Sequence, residues 1–280
     1  MDVEGRITEA GAALTTAERR VAEVVLSRPE LVAFGTVAEL AEAAKAGAAT
    51  VVRLAAKLGF DGFTALQAGV QAELSNQLRP AAVRIREARG GVAVQRHLER
   101  ELDNVQATLL AVSESDLNAA ARHLADLSAS VLVLSGDASY GVSEQFVGDL
   151  SALRPGVELV NSNPVAVARR LAQLSAGDVA VAIDLRRYDR WVVDATRQAK
   201  SRGAWVLSLS DSALSPLAGM ADVSMVLTAG GVGPFDSHVG TMALLNVLVA
   251  AAAELLTPTA TDRLDRAEFL WSANGELIDR

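Results

Sequence analysis

A short charged segment after residue 183 holds two adjacent arginines that could bind an anion. Residues 184–190 read Asp-Leu-Arg-Arg-Tyr-Asp-Arg and follow an apolar run directly. The guanidinium groups of Arg186 and Arg187 can each donate two parallel hydrogen bonds to a carboxylate or a phosphate. They could equally pair with Asp184 and Asp189 and hold the segment in place. The residue types therefore predict either an anion-binding loop or a loop that neutralises itself.

Side chains near two predicted helix starts are further candidates for the same ligand. Ser139 falls near the N-terminus of a predicted helix, where backbone amides and the helix dipole favour an anion. Its alternative role is to cap that helix. His238 opens the last apolar helix and could reach the same place, although a lone histidine is more often structural. The candidate ligand-binding residues are Ser135, Asp137, Ser139, Asp184, Arg186, Arg187, Tyr188 and His238.

The sequence carries no pattern typical of a catalytic or metal site. It has three histidines and no cysteine, which excludes disulfides, thiolate metal ligands and a thiol nucleophile. Neither a metal-ligand spacing nor a nucleophile motif is present. We therefore predict no catalytic residue, no metal and no cofactor.

A helix predicted over residues 48–58 has small and basic residues opposite an apolar face. Small residues at its start would let the backbone approach a base edge, and Arg53 could bind guanine or phosphate. Lys57 could meet a phosphate. The alternative is an ordinary amphipathic helix with solvated charges, which the pattern by itself slightly favours. The inward face is Val51, Leu54, Ala55 and Leu58, and the candidate DNA-contacting residues are Thr36, Gly47, Ala48, Ala49, Thr50, Arg53 and Lys57.

The first 75 residues favour helices only. The spacings Thr15-x-x-Glu18 and Thr36-x-x-Glu39 are those of capping boxes, which open helices. Pro29 ends or restarts the first of these helices. A turn of small residues over 46–48 then separates two short helices. This arrangement predicts a helix-turn-helix DNA-binding domain over residues 1–80, followed by a linker helix over 81–115.

From residue 116 onward the pattern is that of an α/β domain. Five short apolar runs lie over residues 131–134, 157–160, 179–183, 205–209 and 223–227, and the first four are each followed by a helical segment. Continuous apolar strands that alternate with helices indicate a parallel sheet covered on both faces. We predict an α/β fold class, with a five-stranded parallel α/β/α sandwich over 116–280 that closes with a helix over 237–256.

Charge and hydropathy limit the class of partner. The net charge of −8 argues against general coating of nucleic acid, but specific DNA binding depends on local charge. Polar residues interrupt every stretch of about 18 residues, so the sequence predicts no membrane-spanning helix. The acidic N-terminus does not resemble a signal peptide. We therefore expect a cytoplasmic protein without a membrane partner.

The N-terminal region resembles the helix-turn-helix domain of RpiR-type regulators. The matching segments are Leu-Thr-Thr-Ala-Glu-Arg-Arg-Val-Ala at 14–22, Ala-Glu-Leu-Ala-Glu-Ala-Ala at 38–44 and Ala-Thr-Val-Val-Arg-Leu-Ala-Ala-Lys-Leu-Gly-Phe-Asp-Gly-Phe at 49–63. Two positions depart from the family. Lys45 stands at a turn position that usually holds glycine, and Gly47 stands where a Ser or Thr usually caps the next helix. The docking geometry that the resemblance implies depends on this turn.

The C-terminal half is similar to a SIS, or sugar isomerase, domain. The similarity is carried by residues 131–139, 177–179, 199–204, 215–218 and 221–223. SIS domains that bind sugar phosphates usually have a Ser-Gly-x-Thr-like loop where this chain has residues 184–190. The loop after the first strand also lacks the usual Gly-x-Gly. Some RpiR-like regulators have a similar Arg-Arg-Tyr loop, which indicates a distinct class of ligand.

The combined resemblance implies a DNA-binding transcriptional regulator. We expect a small anionic metabolite, such as a phosphorylated sugar, to control its binding to double-stranded operator DNA. The alternatives are a sugar-phosphate isomerase, whose base would be His238 or Glu144, and an assembly module that does not bind DNA. A single reading helix covers few bases, so we also expect a homo-oligomer, a dimer or tetramer. The apolar residues expected at its interface are Val239, Leu244, Leu245, Leu248 and Val249.

Overall fold

The computed structural model describes residues 3–77, 81–87, 94–160, 163–213 and 215–276. Two compact units divide the chain between Arg84 and Ile85, and each has a hydrophobic core of its own. The two domain boundaries expected from the sequence, after residues 80 and 115, stay predictions, and residues 88–93 of the predicted linker lie outside the described residues.

The first unit is helical throughout its described residues. Its helices are α1 (Val3–Ala10), α2 (Thr16–Ser27), α3 (Pro29–Phe34), α4 (Val37–Ala43), α5 (Ala48–Lys57), α6 (Gly62–Gln77) and α7 (Ala81–Glu87), the last of which crosses the division between the units.

Both predicted capping boxes are confirmed. The hydroxyl of Thr15 accepts a hydrogen bond from the amide of Glu18, and the Glu18 carboxylate accepts one from the amide of Thr15 at 2.8 Å. Thr36 and Glu39 form the same pair at the start of α4. Each box satisfies two backbone N–H groups that a helix start leaves without partners. Pro29 occupies the first turn of α3, so it restarts the chain as a helix.

The apolar face predicted for α5 is confirmed. Val51, Leu54 and Ala55 are fully buried, and Leu58 is nearly so. They belong to a cluster with residues of α2, α4 and α6. Removing these side chains from water stabilises the packing of α5, and it fixes which face of the helix remains exposed.

The second unit is a parallel sheet between helices, as predicted. Its strands are β1 (Val131–Ser135), β2 (Val157–Val160), β3 (Val179–Asp184), β4 (Trp205–Ser210) and β5 (Val223–Val226). They pair in parallel in the order β2-β1-β3-β4-β5. Its helices are α8 (Val94–Leu110), α9 (Glu114–Ala125), α10 (Tyr140–Leu153), α11 (Pro164–Gln173), α12 (Arg190–Ser201) and α13 (Val239–Asn274).

Alternate residues of each strand enter the two cores on either side of the sheet. Val131 and Val133 pack with α9, α10 and α13, whereas Leu132 and Leu134 pack with α11 and α12. Both faces are therefore covered, which explains why the strands are apolar without alternation in the sequence.

The predicted end of the last helix is wrong. We expected it to end at 256, but α13 continues to Asn274 and includes Pro258. Proline has no N–H to donate to the carbonyl of Glu254. The hydroxyl of Thr257 donates to that carbonyl instead, at 2.9 Å, so the helix continues without losing the bond.

The apolar first half of α13 belongs to the core of this unit. By length and composition α13 is long and apolar enough to cross a membrane. The sequence did not predict this, because polar residues interrupt its apolar stretch. However, Leu244, Leu245 and Leu248 are buried against the sheet and its neighbouring helices. These three residues are thus unavailable for the oligomer interface expected from the sequence, whereas Val239 is 45% exposed.

Candidate functional site

The exposed start of α5 is built from small residues. Gly47, Ala48 and Ala49 are exposed, and Gly47 caps the helix with its backbone alone. Val52, Arg53 and Ala56 continue the exposed face. Little side-chain bulk therefore separates the first turn of this helix from a partner.

Thr50 and Arg53 interact with each other. Arg53 donates from Nη2 to the hydroxyl oxygen of Thr50 at 3.0 Å. Thr50 is 6% exposed, so it supports the guanidinium group more than it faces solvent. The side chain that this pair presents at the surface is the arginine.

Lys57 forms an internal ion pair. Its Nζ lies 2.7 Å from Oε2 of Glu18 and donates to the carbonyl of Ala13 at 3.1 Å. The Glu18 side chain is 4% exposed. The hydrogen bond from Lys57, followed by the one from the Thr15 amide, lowers the pKa of Glu18 from 4.5 to about 2. The predicted phosphate contact of Lys57 stays a prediction, and it would compete with this pair.

The turn before α5 places a lysine in the left-handed region. Lys45 has φ of 48°, the conformation for which glycine was expected. Thr36 is exposed at the start of α4, where its hydroxyl and amide are both bound to Glu39. Its predicted contact with DNA is not tested by this geometry.

The second candidate site lies where the chain direction across the sheet reverses. The order β2-β1-β3 means that the chain leaves β1 toward one edge and β3 toward the other. The loops after β1 and β3 therefore lie side by side, and the amide of Gly136 donates to the carbonyl of Ile183 at 2.9 Å. In open α/β sheets such a crevice is the usual ligand site.

Asp184, the last residue of β3, is buried at this edge of the sheet. It is 3% exposed, and its two carboxylate oxygens accept hydrogen bonds from the amides of Leu185, at 2.8 Å, and Asp189, at 2.6 Å. Burial raises its pKa from 3.8 to about 6, and the carboxylates of Asp189 and Asp211 add to the rise. A Cβ at residue 136 would lie 2.2 Å from Asp184 Oδ1, so Gly136 is required for this packing.

Two further carboxylates also accept hydrogen bonds from backbone amides. Asp189 accepts from the amide of Asp137 at 2.8 Å. Asp211, which follows β4, accepts from the amide of Arg186 and from the hydroxyl of Tyr188, both at 2.8 Å. Burial and the neighbouring Asp211 carboxylate raise the pKa of Tyr188. The Asp and Tyr side chains of the 184–190 segment thus hold the loops together.

The two arginines of the segment have different environments. Arg186 has φ of 58° and its Nε lies 2.6 Å from a carboxylate oxygen of Asp236. Arg187 is exposed. The sequence named Asp184 and Asp189 as possible partners of the arginines, but the ion pair is with Asp236, about 50 residues away, because the loop before α13 returns to this edge.

Three buried polar atoms near the crevice have no hydrogen-bond partner among the described residues: Oγ of Ser139, Nδ1 of His238 and Oγ1 of Thr241. Ser139 and Thr241 are fully buried. Ser139 stands at the cap position of α10, yet its hydroxyl does not cap the helix. Burial lowers the pKa of His238, and the nearby Asp236 carboxylate and Ala138 backbone oppose this shift in part.

Ser135 and Asp137 complete the set of sequence candidates. Ser135 is 2% exposed, and its hydroxyl donates to the carbonyl of Gly136. The same hydroxyl oxygen accepts a hydrogen bond from the hydroxyl of Ser143 at 2.8 Å. Asp137 is exposed and contributes its backbone amide to Asp189. The structure brings the loop after β1, the loop after β3 and the start of α13 to one edge.

Sequence reasoning missed Asp211, Asp236 and Thr241. Asp211 could have been found, because it follows the predicted fourth strand directly and the carboxyl ends of parallel strands share one edge. Asp236 and Thr241 carry no such signal, since their position depends on the path of the chain before α13.

Comparison with known proteins finds a matching family of domains for each of the two units. Residues 1–77 match the helix-turn-helix domain of the rpiR family, and residues 123–251 match the SIS domain. An HTH-type transcriptional regulator of Caldanaerobacter subterraneus subsp. tengcongensis is 26% identical over 259 residues, which are 90% of this chain and 91% of that protein.

Two solved structures share the fold. The sugar isomerase domain of an RpiR transcription factor from Sphaerobacter thermophilus is 26% identical with a TM-score of 0.59, covering 62% of this chain and 97% of that one. The Vibrio vulnificus NanR protein complexed with ManNAc-6P is 21% identical with a TM-score of 0.57, covering 97% and 98%. The chain thus combines a helix-turn-helix domain that matches the rpiR family with a SIS domain, and the relatives that it resembles are named as HTH-type transcriptional regulators.

Proposed function

We propose that this protein binds double-stranded operator DNA through α5 and that a small metabolite bound at the β1–β3 crevice controls this binding. The observation that carries the DNA-binding proposal is the geometry of α5. One face is buried in the core of the first unit, and the start of the opposite face is exposed and built from small residues. In helix-turn-helix proteins the second helix enters the major groove with its N-terminal residues toward the bases.

Arg53 is the side chain that we assign to base or phosphate recognition. It is exposed, and its bond to Thr50 restricts its conformation before DNA arrives. Ordering part of a long side chain in advance lowers the entropy lost on binding. Gly47, Ala48 and Ala49 would let the peptide backbone of α5 approach the bases closely. Thr36, at the start of α4, would contact a DNA phosphate.

The crevice residues support a small polar effector. Ser139 and Thr241 bury hydroxyl oxygens without a partner among the described residues, and such groups are costly unless something binds them. The sequence favours an anionic effector, a phosphorylated sugar or a related compound. The exposed guanidinium of Arg187 would serve it, while Arg186 is already paired with Asp236.

We propose that the chain is not an enzyme. The carboxylates of Asp184, Asp189 and Asp211 accept hydrogen bonds from the loops that carry them. These bonds assign the carboxylates to organising the crevice, and any oxygen they leave over can hold a ligand. The relatives of this chain are named as transcriptional regulators, and binding without turnover is what a ligand-controlled regulator requires. We also propose that the protein acts in the cytoplasm as a homo-oligomer.

A mobility-shift assay tests the proposed function. The DNA probe is the region upstream of the protein's own coding sequence, and Arg53→Ala is the test variant. Loss of a base contact should weaken binding by about 1–3 kcal/mol and relax the sequence preference. Arg122→Ala removes an exposed arginine of the second unit and is the matched control. Equal binding by wild type and Arg53→Ala would show that α5 is not the reading helix.

A further inference from the structure

Side-chain carboxylates of the protein itself already bind the backbone amides at the crevice of the second unit. Four backbone amides at this edge, those of residues 137, 185, 186 and 189, donate to side-chain carboxylates at 2.6–2.8 Å. The acceptors are Asp184, Asp189 and Asp211. Backbone amides in such loops are the groups that hold a phosphate when a phosphate binds. Here their hydrogen atoms are already bound.

The charge around the crevice also opposes an anion. Five carboxylates lie in its loops, on residues 137, 184, 189, 211 and 236, against three guanidinium groups, those of Arg186, Arg187 and Arg190. The Arg190 side chain is 95% exposed and lies 3.9 Å from Asp194. Arg186 is neutralised by Asp236 at 2.6 Å. A phosphate monoester placed there would be brought close to Asp189 and Asp211, and like charges at short range in a partly buried site repel strongly.

The groups that remain available suit hydroxyls. Asp189 and Asp211 each use one carboxylate oxygen in the backbone bonds, so the other can accept from a ligand O–H or N–H. Ser139 and Thr241 add neutral, fully buried hydroxyls without partners among the described residues. The ion pair between Arg186 and Asp236 holds the loop before α13 at this edge, and Thr241 lies in the first turn of the helix that follows.

We propose that the effector of this regulator is a polyhydroxy compound without a phosphate, a free sugar or amino sugar, and that Asp189 excludes phosphate by occupying the amide of Asp137. This inference rests on the proposed function and concerns the ligand class of its effector site. The carboxylates and buried hydroxyls bind the hydroxyl or ammonium groups of the ligand. It replaces the anionic effector that the two arginines favour in the sequence.

Titration calorimetry and thermal shift with matched ligand pairs test the inference. The probes are glucose, mannose and glucosamine, their 6-phosphates, and inorganic phosphate, all at constant ionic strength. The proteins are the full-length wild type, Asp189→Ser, which removes the carboxylate from the Asp137 amide, and Asp189→Asn, which removes the charge but keeps an oxygen there. Asp103→Ser alters an exposed aspartate of α8 and is the matched control.

The wild type should prefer a free sugar to its 6-phosphate. Asp189→Ser should bind inorganic phosphate or a 6-phosphate at least about tenfold more tightly than wild type does, Asp189→Asn should gain less, and Asp103→Ser should gain nothing. If wild type binds no probe, a gain in either Asp189 variant still supports the inference. A wild type that binds a 6-phosphate more tightly than the free sugar overturns it. So does the absence of any gain in folded Asp189 variants.

The mobility-shift assay separates this inference from the proposed function. If a 6-phosphate releases the wild-type protein from its DNA, the proposed function stands and the inference is wrong. If the protein does not bind its upstream DNA at all, the proposed function fails whichever sugar binds.

Discussion

At the residue scale, Glu18 links the start of α2 to the end of α5. Its carboxylate caps α2 through the Thr15 amide and binds Lys57 on α5. One buried acid therefore serves both a local helix start and a contact between helices. The orientation of α5 depends on the pair, so Lys57 can influence DNA binding without touching DNA.

This pair predicts how stability depends on pH. The pKa of Glu18 is about 2 in the folded state against an ordinary 4.5. A carboxyl with a lowered folded-state pKa contributes stability that is present above pH 4.5 and is lost as the pH falls through 4.5 toward 2. Lys57→Met should lower the free energy of unfolding by about 1 kcal/mol near neutral pH. Between pH 4.5 and 2 the variant should lose less stability than the wild type. Urea unfolding of both proteins between pH 6 and about 2.5 measures it; parallel pH profiles would contradict it.

The same variant distinguishes two roles of Lys57 in DNA binding. If Lys57 contacts a phosphate, Lys57→Met should reduce the slope of log affinity against log salt by about 1. If its ion pair with Glu18 dominates, the slope should remain that of wild type while stability falls. We expect the second result, because the 2.7 Å pair already uses the ammonium group. A titration of mobility shifts against salt concentration gives the slope.

At the element scale, the turn between α4 and α5 carries conformational strain. Lys45 adopts φ of 48°, which costs an L-residue free energy that glycine does not lose. The bond from the Ala46 amide to the carbonyl of Ala41, at 2.8 Å, holds the turn. The packing of both helices thus imposes the conformation on a residue that disfavours it.

Substitution of this lysine tests the strain directly. Lys45→Gly should stabilise the first unit by about 0.5–1 kcal/mol, because relief of the left-handed penalty exceeds the added entropy of the unfolded chain. Lys45→Ala keeps the strain and is the control for loss of the side chain. Thermal unfolding monitored by circular dichroism compares them. A glycine variant less stable than the alanine variant would show that the turn is not strained.

At the scale of the whole molecule, exposed apolar side chains on α8 are candidates for the oligomer interface. Val94, Leu98 and Leu102 are 84%, 50% and 59% exposed and recur every four residues, so they share one face of the helix. Covering them against a second copy would remove apolar surface from water. Leu244, Leu245 and Leu248, expected from the sequence to have this role, are committed to the core.

Light scattering tests the oligomer. The chain is 29.2 kDa, and we expect the mass of a dimer or tetramer at micromolar concentration, because two reading helices cover two half-sites. Leu98→Glu with Leu102→Glu should shift the mass toward the monomer, since burying two carboxylates in an interface is costly. Leu127→Glu, at another exposed leucine, is the control. A monomeric wild type, with and without DNA, would contradict the proposal.

The sequence alone determined the two capping boxes, the five strands and the inward face of α5. Capping boxes, continuous apolar strands and the inward face of α5 depend on neighbours within a few residues, so the pattern predicted them. The end of α13 escaped prediction because the Thr257 hydroxyl replaces the bond that Pro258 lacks, and no periodicity records such a substitution.

Only the tertiary structure decided what the charged side chains bind. Lys57 binds Glu18 across 39 residues, Arg186 binds Asp236, and Asp184 and Asp189 bind backbone amides and not the arginines. A charged side chain pairs with whichever opposite or polar group the fold brings within a few ångströms. That group is set by strand order and by the return of a distant loop, neither of which a local pattern of residue types contains.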